Sequence, residues 1–367
     1  MKSRHFSYPA AFFDIARSIT QSFPVPKSVF SGGVGLSITR DAVQVAGLGA
    51  GKGKPEVLFL DHTPIPAGTF ADDGSIQNPA LLRDVVQRLR EDHHVERVHI
   101  SLPEEHAYVF SVTLPSEAMS DIAQAIEFHL KENVPFSLDQ ILFDYEVLQV
   151  TEREMVAQVV VYPIAVASEY FGVCLEAGYV LAGAELHGKS IARACLGGAD
   201  EMAAILLLDG GVAAVIAVRD GIVYTSVELG VESDELVRAL MKTLQVSQIE
   251  ALRILHLRGV TLETDKEAAC IRGVVDTYLQ ALTEKIAYWN VRALGAEGAI
   301  EQPHSLQIAG RHAAVRGLAE YIAAHIEMPV RIADTWKNVT FQKTISISRD
   351  ESLKYAAPIG LALREFM

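Results

Sequence analysis

Short apolar strands joined by tight turns occur twice in this sequence, and this repeat limits the possible folds most. In the first set, Gly33–Val45 alternates apolar and polar residues, and the glycines of 47–51 predict a turn into Glu56–Asp61. The second set has three apolar runs separated by Gly-Gly and Asp-Gly turns: Ala203–Asp209, Ala213–Val218 and Ile222–Leu229. Helical patterns follow each set. The repeat predicts a duplicated, two-lobed α/β fold.

A different pattern separates the two sets and predicts a small subdomain at about 103–164. It consists of a strand, a helix that Ser116 is expected to cap, and two more strands: Tyr108–Leu114, 116–130, Phe143–Val150 and Met155–Tyr162. This β-α-β-β block has enough apolar residues for a core of its own.

The domain organisation follows from these patterns. Residues 1–27 are a tail and linker, 28–200 form the first lobe with the small subdomain inserted, and 201–350 form the second lobe. Helices are predicted at Ala313–Ile326 and, as a C-terminal helix that returns to the first lobe, within 351–367.

Charge and composition exclude several classes of protein. The chain of 367 residues has 32 basic and 46 acidic residues, so its net charge is −14, and neither duplex nucleic acid nor an anionic membrane surface is expected as a partner. Two apolar stretches, Val156–Leu175 and Met202–Val218, contain Glu169 and Asp209 and are interpreted as buried strands, so no membrane span is predicted. Three isolated cysteines indicate reduced thiols in the cytoplasm.

Four motifs in order resemble the PilM family, the cytoplasmic actin-like proteins of type IV pilus assembly, over roughly residues 23–367. The motifs are a Pro-rich start before a glycine strand, a Leu-Pro–helix–Val-Pro-Phe–strand segment, a late glycine motif and a C-terminal signature: 23–38, Leu114–Leu148, Leu306–Pro329 and Ala357–Arg364. The resemblance implies a two-lobed actin-like ATPase fold with the 103–164 block as its inserted small subdomain.

The resemblance also implies a role. Members of this family act at the inner face of the bacterial inner membrane, where they bind the N-terminal cytoplasmic segment of the membrane protein PilN and work with other components of the pilus platform and motor. The implied groove lies between the first lobe and the 103–164 block, with Pro135 and Phe136 as candidate wall residues. An extended apolar peptide of about ten residues with a proline would fit such a groove. Deleting the block is expected to abolish its capture.

The family resemblance places a possible site for ATP with Mg on two hairpins and a late glycine turn. The residues concerned are Ser37, Thr39, Arg40, Asp209, Gly210, Gly211, Gly310 and Gly317. Ser37 stands at the position of a metal-ordering carboxylate, and Arg311 and His312 stand where further glycines are expected. We therefore expect a degenerate site with weak or absent nucleotide binding, negligible turnover, no catalytic residue and no metal.

Other functions remain open at this point. A nucleotide-dependent ATPase or filament former similar to FtsA would share the fold, since fold alone does not fix function. The cytoplasmic domain of GspL in type II secretion is related as well, but a transmembrane helix normally follows it, whereas this sequence ends at Met367. A metal site at His93, His94 and His99 is not expected, because no carboxylate or thiol stands at ligand spacing.

Overall fold

Three β-sheets organise the chain in a computed structural model that describes residues 32–71, 74–196, 202–219, 222–261, 263, 265–293, 302–341, 345 and 347–367. The predicted tail, 1–27, lies outside the described residues. A six-stranded sheet belongs to the first lobe, a five-stranded sheet to the second lobe, and a three-stranded sheet to the small subdomain.

The first lobe is built on a sheet with the strand order β14-β3-β2-β1-β4-β8. Its strands are β1 (Gly32–Ile38), β2 (Ala42–Gly49), β3 (Glu56–Pro64), β4 (Arg97–Leu102), β8 (Val180–Leu186) and β14 (Thr340–Phe341). Its helices are α1 (Pro79–His93), α3 (Ile164–Glu176) and α4 (His187–Cys195). The apolar faces of α1 and α3 meet the sheet in one core cluster.

The prediction of one strand over Gly33–Val45 is wrong, because a tight turn divides it into β1 and β2. Thr39 closes this turn: its N–H donates to the Ala42 carbonyl at 3.0 Å, and its hydroxyl donates to the Asp41 carboxylate at 2.9 Å. The apolar alternation continues through the turn, so periodicity alone did not reveal it. The glycines of 47–49 belong to β2, where Gly47 lies against the ring of Phe59.

The small subdomain has the predicted β-α-β-β order. Strands β5 (Tyr108–Pro115), β6 (Ile141–Val150) and β7 (Glu154–Pro163) form a sheet with β7 in the centre, and α2 (Ile122–Asn133) packs on it through Ile126 and Leu130. The prediction that Ser116 caps this helix is wrong. Asp121 is the N-cap and accepts the Gln124 N–H at 3.2 Å, because a separate 3₁₀ turn occupies Ser116–Ser120.

The second lobe repeats the antiparallel hairpin, with the strand order β11-β10-β9-β12-β13. Its strands are β9 (Ala203–Asp209), β10 (Val212–Arg219), β11 (Ile222–Glu228), β12 (Ser305–Ala309) and β13 (Val330–Ile332). Its helices are α5 (Glu235–Leu244), α6 (Gln248–Arg258), α7 (Lys266–Ala293) and α8 (Leu318–Ala323). The helix predicted at Ala313–Ile326 is limited to α8, because a 3₁₀ turn at Arg311–Ala314 and Gly317 at φ 75° precede it.

The C-terminal segment returns to the first lobe and forms α9 (Arg349–Ser352) and α10 (Ala356–Ala362), joined by a 3₁₀ turn. Helix α10 lies directly on β1: a Cβ atom on Gly35 would stand 2.1 Å from the Pro358 carbonyl oxygen. No helix among the described residues is long and apolar enough to cross a membrane.

Candidate functional site

Three turns from the two lobes meet in a cleft between them. A Cβ atom on Gly210 would stand 2.7 Å from the Cβ of Thr39, one on Gly211 would stand 3.1 Å from Cδ of Arg40, and one on Gly310 would stand 2.7 Å from the Cβ of Asp209. All three glycines have a positive φ, so a side chain here would strain the backbone as well. The structure thus brings together six of the residues expected at the nucleotide site: Thr39, Arg40, Asp209, Gly210, Gly211 and Gly310.

The other two expected residues, Ser37 and Gly317, have different surroundings. Ser37 is fully buried in β1, where its hydroxyl lies 3.2 Å from Nδ1 of His187 and accepts a 3.1 Å hydrogen bond from the Ser101 hydroxyl. Gly317 precedes α8, and a Cβ atom there would stand 2.3 Å from the Val260 carbonyl oxygen. Ser37 is therefore part of a buried hydroxyl–imidazole cluster, and Gly317 packs inside the second lobe.

Arg311 joins the lobes. Its guanidinium donates to the carboxylate of Asp41 in the first lobe and, at 2.9 Å, to that of Asp234 in the second. Although burial opposes its charge, the carboxylates of Asp41, Asp209 and Asp234 outweigh burial and raise the pKa of Arg311. His312 also lies 2.9 Å from Asp234, and together with Arg311 it holds the pKa of Asp234 below its ordinary value despite burial.

Asp209, the expected carboxylate of the second hairpin, contacts the backbone of Arg311. It is buried, and burial raises its pKa to about 7, although Arg311 acts in the opposite direction through its charge and through a hydrogen bond from its backbone N–H. Near neutral pH, this carboxyl group is therefore only partly ionised. It stabilises the turn that carries Arg311.

Arg40, which the sequence suggested as a phosphate contact, pairs with carboxylates of both lobes. Its Nη2 lies 3.0 Å from Glu105 in the first lobe, and its Nη1 lies 3.7 Å from Glu232 in the second. Because both carboxylates neutralise its charge, Arg40 would bind a phosphate more weakly than an unpaired guanidinium would.

Two buried polar groups that the sequence analysis did not identify line the base of the cleft, Glu104 and His187. Oε1 of Glu104 accepts the N–H of Gly188 at 2.8 Å, while neither Oε2 of Glu104 nor Nε2 of His187 has a partner among the residues that the structure describes. Burial raises the pKa of Glu104 to about 8 and lowers that of His187 to about 4, so both side chains are mainly neutral at pH 7. An acidic residue directly after an apolar strand was the only sequence signal.

These residues fit a magnesium nucleotide poorly. A metal held through water needs available carboxylates, but Asp41 and Asp234 are already paired with Arg311. Within the described part of the chain, no group of three or more His, Cys, Asp or Glu side chains could hold a metal ion. The cleft is instead arranged around arginine.

A second site lies at the seam between the small subdomain and the first lobe, which we define by strands β6 and β8 and the start of α4. Each of these strands is at the edge of its sheet in the described structure. Lys189 of α4 pairs across the seam with Glu146 of β6 at 2.9 Å, and Arg364 donates to the Ala184 carbonyl of β8 at 3.3 Å. The N–H of Tyr145 donates to the side chain of its neighbour Asp144 at 2.9 Å, and burial raises the pKa of that carboxyl group.

The predicted wall residues Pro135 and Phe136 follow α2. Pro135 is exposed, whereas Phe136 is half-buried and makes an edge-to-face contact with Tyr108 of β5, with 5.9 Å between the ring centres. Strand β5 is the edge opposite β6. Phe136 thus packs within the small subdomain, while Asp144, Glu146 and Lys189 of the seam were not identified from sequence.

Comparisons with known proteins agree with this architecture. Residues 35–168 match the family model described as type IV pilus assembly protein PilM. Among solved structures, the PilM-PilN type IV pilus biogenesis complex is similar, with a TM-score of 0.78 and 16% identity over 91% of this chain and 98% of that chain. No curated protein matches the sequence significantly.

Two further structures share the fold at lower similarity. The ethanolamine utilization protein EutJ from Carboxydothermus hydrogenoformans has a TM-score of 0.55 and 13% identity, covering 93% of this chain and 91% of its own. MreB 5 of Spiroplasma citri bound to AMPPNP has a TM-score of 0.50 and 11% identity, covering 90% and 95%. A nucleotide analogue is thus present in one solved structure of this fold. The chain therefore has the two-lobed actin-like ATPase fold with an inserted small subdomain, and its residues 35–168 are similar to the PilM family.

Proposed function

We propose that this chain is a cytoplasmic scaffold of type IV pilus assembly that binds the N-terminal segment of a PilN-like protein at the inner face of the inner membrane. The observation that carries the proposal is the seam, where β6 and β8 are edge strands of their sheets and the Lys189–Glu146 pair connects α4 with β6. The family match at 35–168 includes the whole small subdomain and β6. The similar PilM-PilN complex supports the choice of partner.

Strand β6 has the chemistry that an added strand requires. An extended peptide gains affinity from main-chain hydrogen bonds to a sheet edge, and pockets for alternate side chains add specificity. The side of β6 away from β7 pairs with no strand of the described structure. Residues 143–148 are half-buried, which leaves room for a partner to cover them. This proposal places the groove at β6, the sheet edge opposite β5, where Phe136 packs.

The two lobes act in this proposal as a rigid support rather than as an enzyme. We take 28–200, with 103–164 inserted, as the first lobe, 201–350 as the second and 351–367 as the returning helix. Within 201–350, β14 alone crosses over to the first lobe's sheet in the described structure. A nucleotide-dependent filament former is the alternative function. The pairing of Arg311 and Arg40 with carboxylates of the cleft weighs against it, because ATP hydrolysis depends on free cationic and metal contacts to phosphate.

The test is binding of a fluorescent synthetic peptide that contains the cytoplasmic N-terminal segment of a PilN-like protein from the same genome. Glu146→Lys places like charges on both sides of the seam, so we expect peptide affinity to fall roughly tenfold or more. The double variant Glu146→Lys/Lys189→Glu restores an opposite pair and is expected to recover most of the affinity. Point variants are preferable to deletion of 103–164, because Leu142 and Tyr162 belong to the core of the first lobe.

Asp139→Lys is the matched control, since Asp139 is an exposed acid of the same subdomain. It carries the same change of charge and is expected to bind as the wild type does. If Glu146→Lys binds no worse than Asp139→Lys, the seam is not the binding site. If the wild-type chain does not bind the segment at all, the proposed partner is wrong.

A further inference from the structure

The position of Arg311 in the cleft suggests an identity for the ligand of this site. Its guanidinium contacts Asp41 of the β1–β2 turn and Asp234 before α5, and it lies near enough to Asp209 for the two charges to interact. Its side chain is 22% exposed, so the contacts are largely shielded from solvent. An arginine fork presents several fixed donors and keeps its charge at every physiological pH, which suits a site with several carboxylates.

We propose that the interlobe cleft is a guanidinium site and that the chain supplies the ligand itself, as Arg311. The arginine contributes the positive charge that connects the two lobes, in place of a metal-bound nucleotide. Because Asp41 belongs to the first lobe and both Arg311 and Asp234 to the second, the contacts couple the lobes without any added ligand. This inference does not depend on the identity of the pilus partner.

Three features of the surrounding structure support a ligand position rather than an incidental surface pair. Asp209 accepts the backbone N–H of Arg311 and so fixes the start of the turn. His312, the next residue, is 2% exposed and lies 2.9 Å from the same Asp234 oxygen that Arg311 contacts. Gly310, at φ 93°, allows the turn to approach Asp209, where a Cβ atom would stand 2.7 Å from the aspartate Cβ. Backbone and side chains together therefore aim the guanidinium at the first lobe.

The second interlobe contact has the same character. Arg40 extends from the first lobe between Glu105 of its own lobe and Glu232 of the second lobe. The two arginines thus reach across the cleft in opposite directions. The Arg311–Asp234 pair is more buried than the Arg40–Glu232 pair, since the side chain of Asp234 is 33% exposed and that of Glu232 is 41% exposed. We therefore test Arg311.

The test is hydrogen exchange of the full-length protein with chemical rescue. In Arg311→Ala, amides of 39–42 in the first lobe and 233–238 in the second are expected to exchange roughly tenfold faster, because the charged hydrogen bonds from Arg311 to Asp41 and Asp234 are lost. Millimolar methylguanidine is then expected to restore protection in both segments, whereas methylammonium, which lacks the planar fork, restores less. Methylguanidine is expected to have no effect on the wild type.

Arg316→Ala is the control, since Arg316 is an exposed arginine of the same segment. It is expected to exchange as the wild type does. Arg311→Gln provides a milder form of the same test if the alanine variant does not fold. Faster exchange limited to 310–314, or equal exchange of 39–42 in the Arg311 and Arg316 variants, would overturn the interlobe role. Failure of methylguanidine to restore protection would overturn the assignment of a guanidinium site.

Discussion

The cleft and the seam satisfy their polar groups in opposite ways. In the cleft, charged side chains from both lobes pair with one another, as Arg311 does with Asp41 and Asp234. At the seam, the edge of β6 has no neighbouring strand in the described structure. A region that supplies its own partners needs no ligand, whereas an open strand edge favours the addition of one. In this molecule, Arg40 and Arg311 of the cleft are paired with carboxylates, whereas the inserted subdomain carries an open strand edge.

The largest expected effect concerns the buried acid of the cleft. Folding raises the pKa of Glu104 to about 8 through burial, so the folded state holds its proton more tightly than the unfolded chain does. The stability that this provides is complete below about pH 4.5 and is lost as the pH rises through 8. Glu104→Gln keeps a side-chain oxygen for the Gly188 N–H and cannot ionise. Relative to the wild type, it is expected to gain on the order of 4 kcal/mol in the free energy of unfolding between pH 4.5 and 9.

Urea unfolding at pH 5 and pH 9 measures this difference, and Glu117→Gln, at an exposed acid, is the control. If the free energies of unfolding of Glu104→Gln and the wild type differ by the same amount at both pH values, folding does not raise the pKa of Glu104. The comparison between a cleft that encloses a neutral carboxyl group and a seam with an open strand edge would then fail.

The next effect isolates the small subdomain. Leu130 is fully buried between α2 and the three-stranded sheet, and Leu130→Ala is expected to cost about 3 kcal/mol of local stability through the cavity it leaves. Phe128→Ala, on the same helix but 76% exposed, is expected to cost little. Hydrogen exchange should quicken in β5–β7 of Leu130→Ala and stay unchanged in the turns of the cleft. Equal changes in both regions would mean that subdomain and lobes unfold as one unit.

The smallest expected effect is that of nucleotide on the wild type. Because the acids and arginines of the cleft are already paired, calorimetry with ATP and magnesium is expected to give weak or no binding heat, and phosphate release is expected to remain at background. Low-micromolar binding, or turnover that disappears in Asp209→Ala, would show an active nucleotide site. The cleft would then resemble the seam in accepting an outside partner.

The sequence predicted the fold better than it predicted either site. Repeated hairpins and the β-α-β-β block are local patterns, and both are present in the structure. The turn at Thr39–Asp41 and the Asp121 cap were missed because each depends on a side-chain hydrogen bond between residues close in sequence, which the apolar periodicity does not reveal. The sequence showed Arg311 where a glycine is expected, but it could not show the partners of this arginine. Asp41 and Asp234 are 270 and 77 residues away from it in the chain. Such contacts exist only once the lobes have packed.

The position of α10 on β1 has a consequence for the order of synthesis. Strand β1 is in the middle of the first lobe's sheet, yet the surface it presents at Gly33 and Gly35 is covered by residues 358–365. A ribosome releases the chain's first half long before those residues are made. The first lobe therefore has one face uncovered until residues 358–365 are synthesised, while the second lobe has almost its whole sequence available earlier. Truncation from the C terminus should accordingly harm the half of the molecule that was synthesised first.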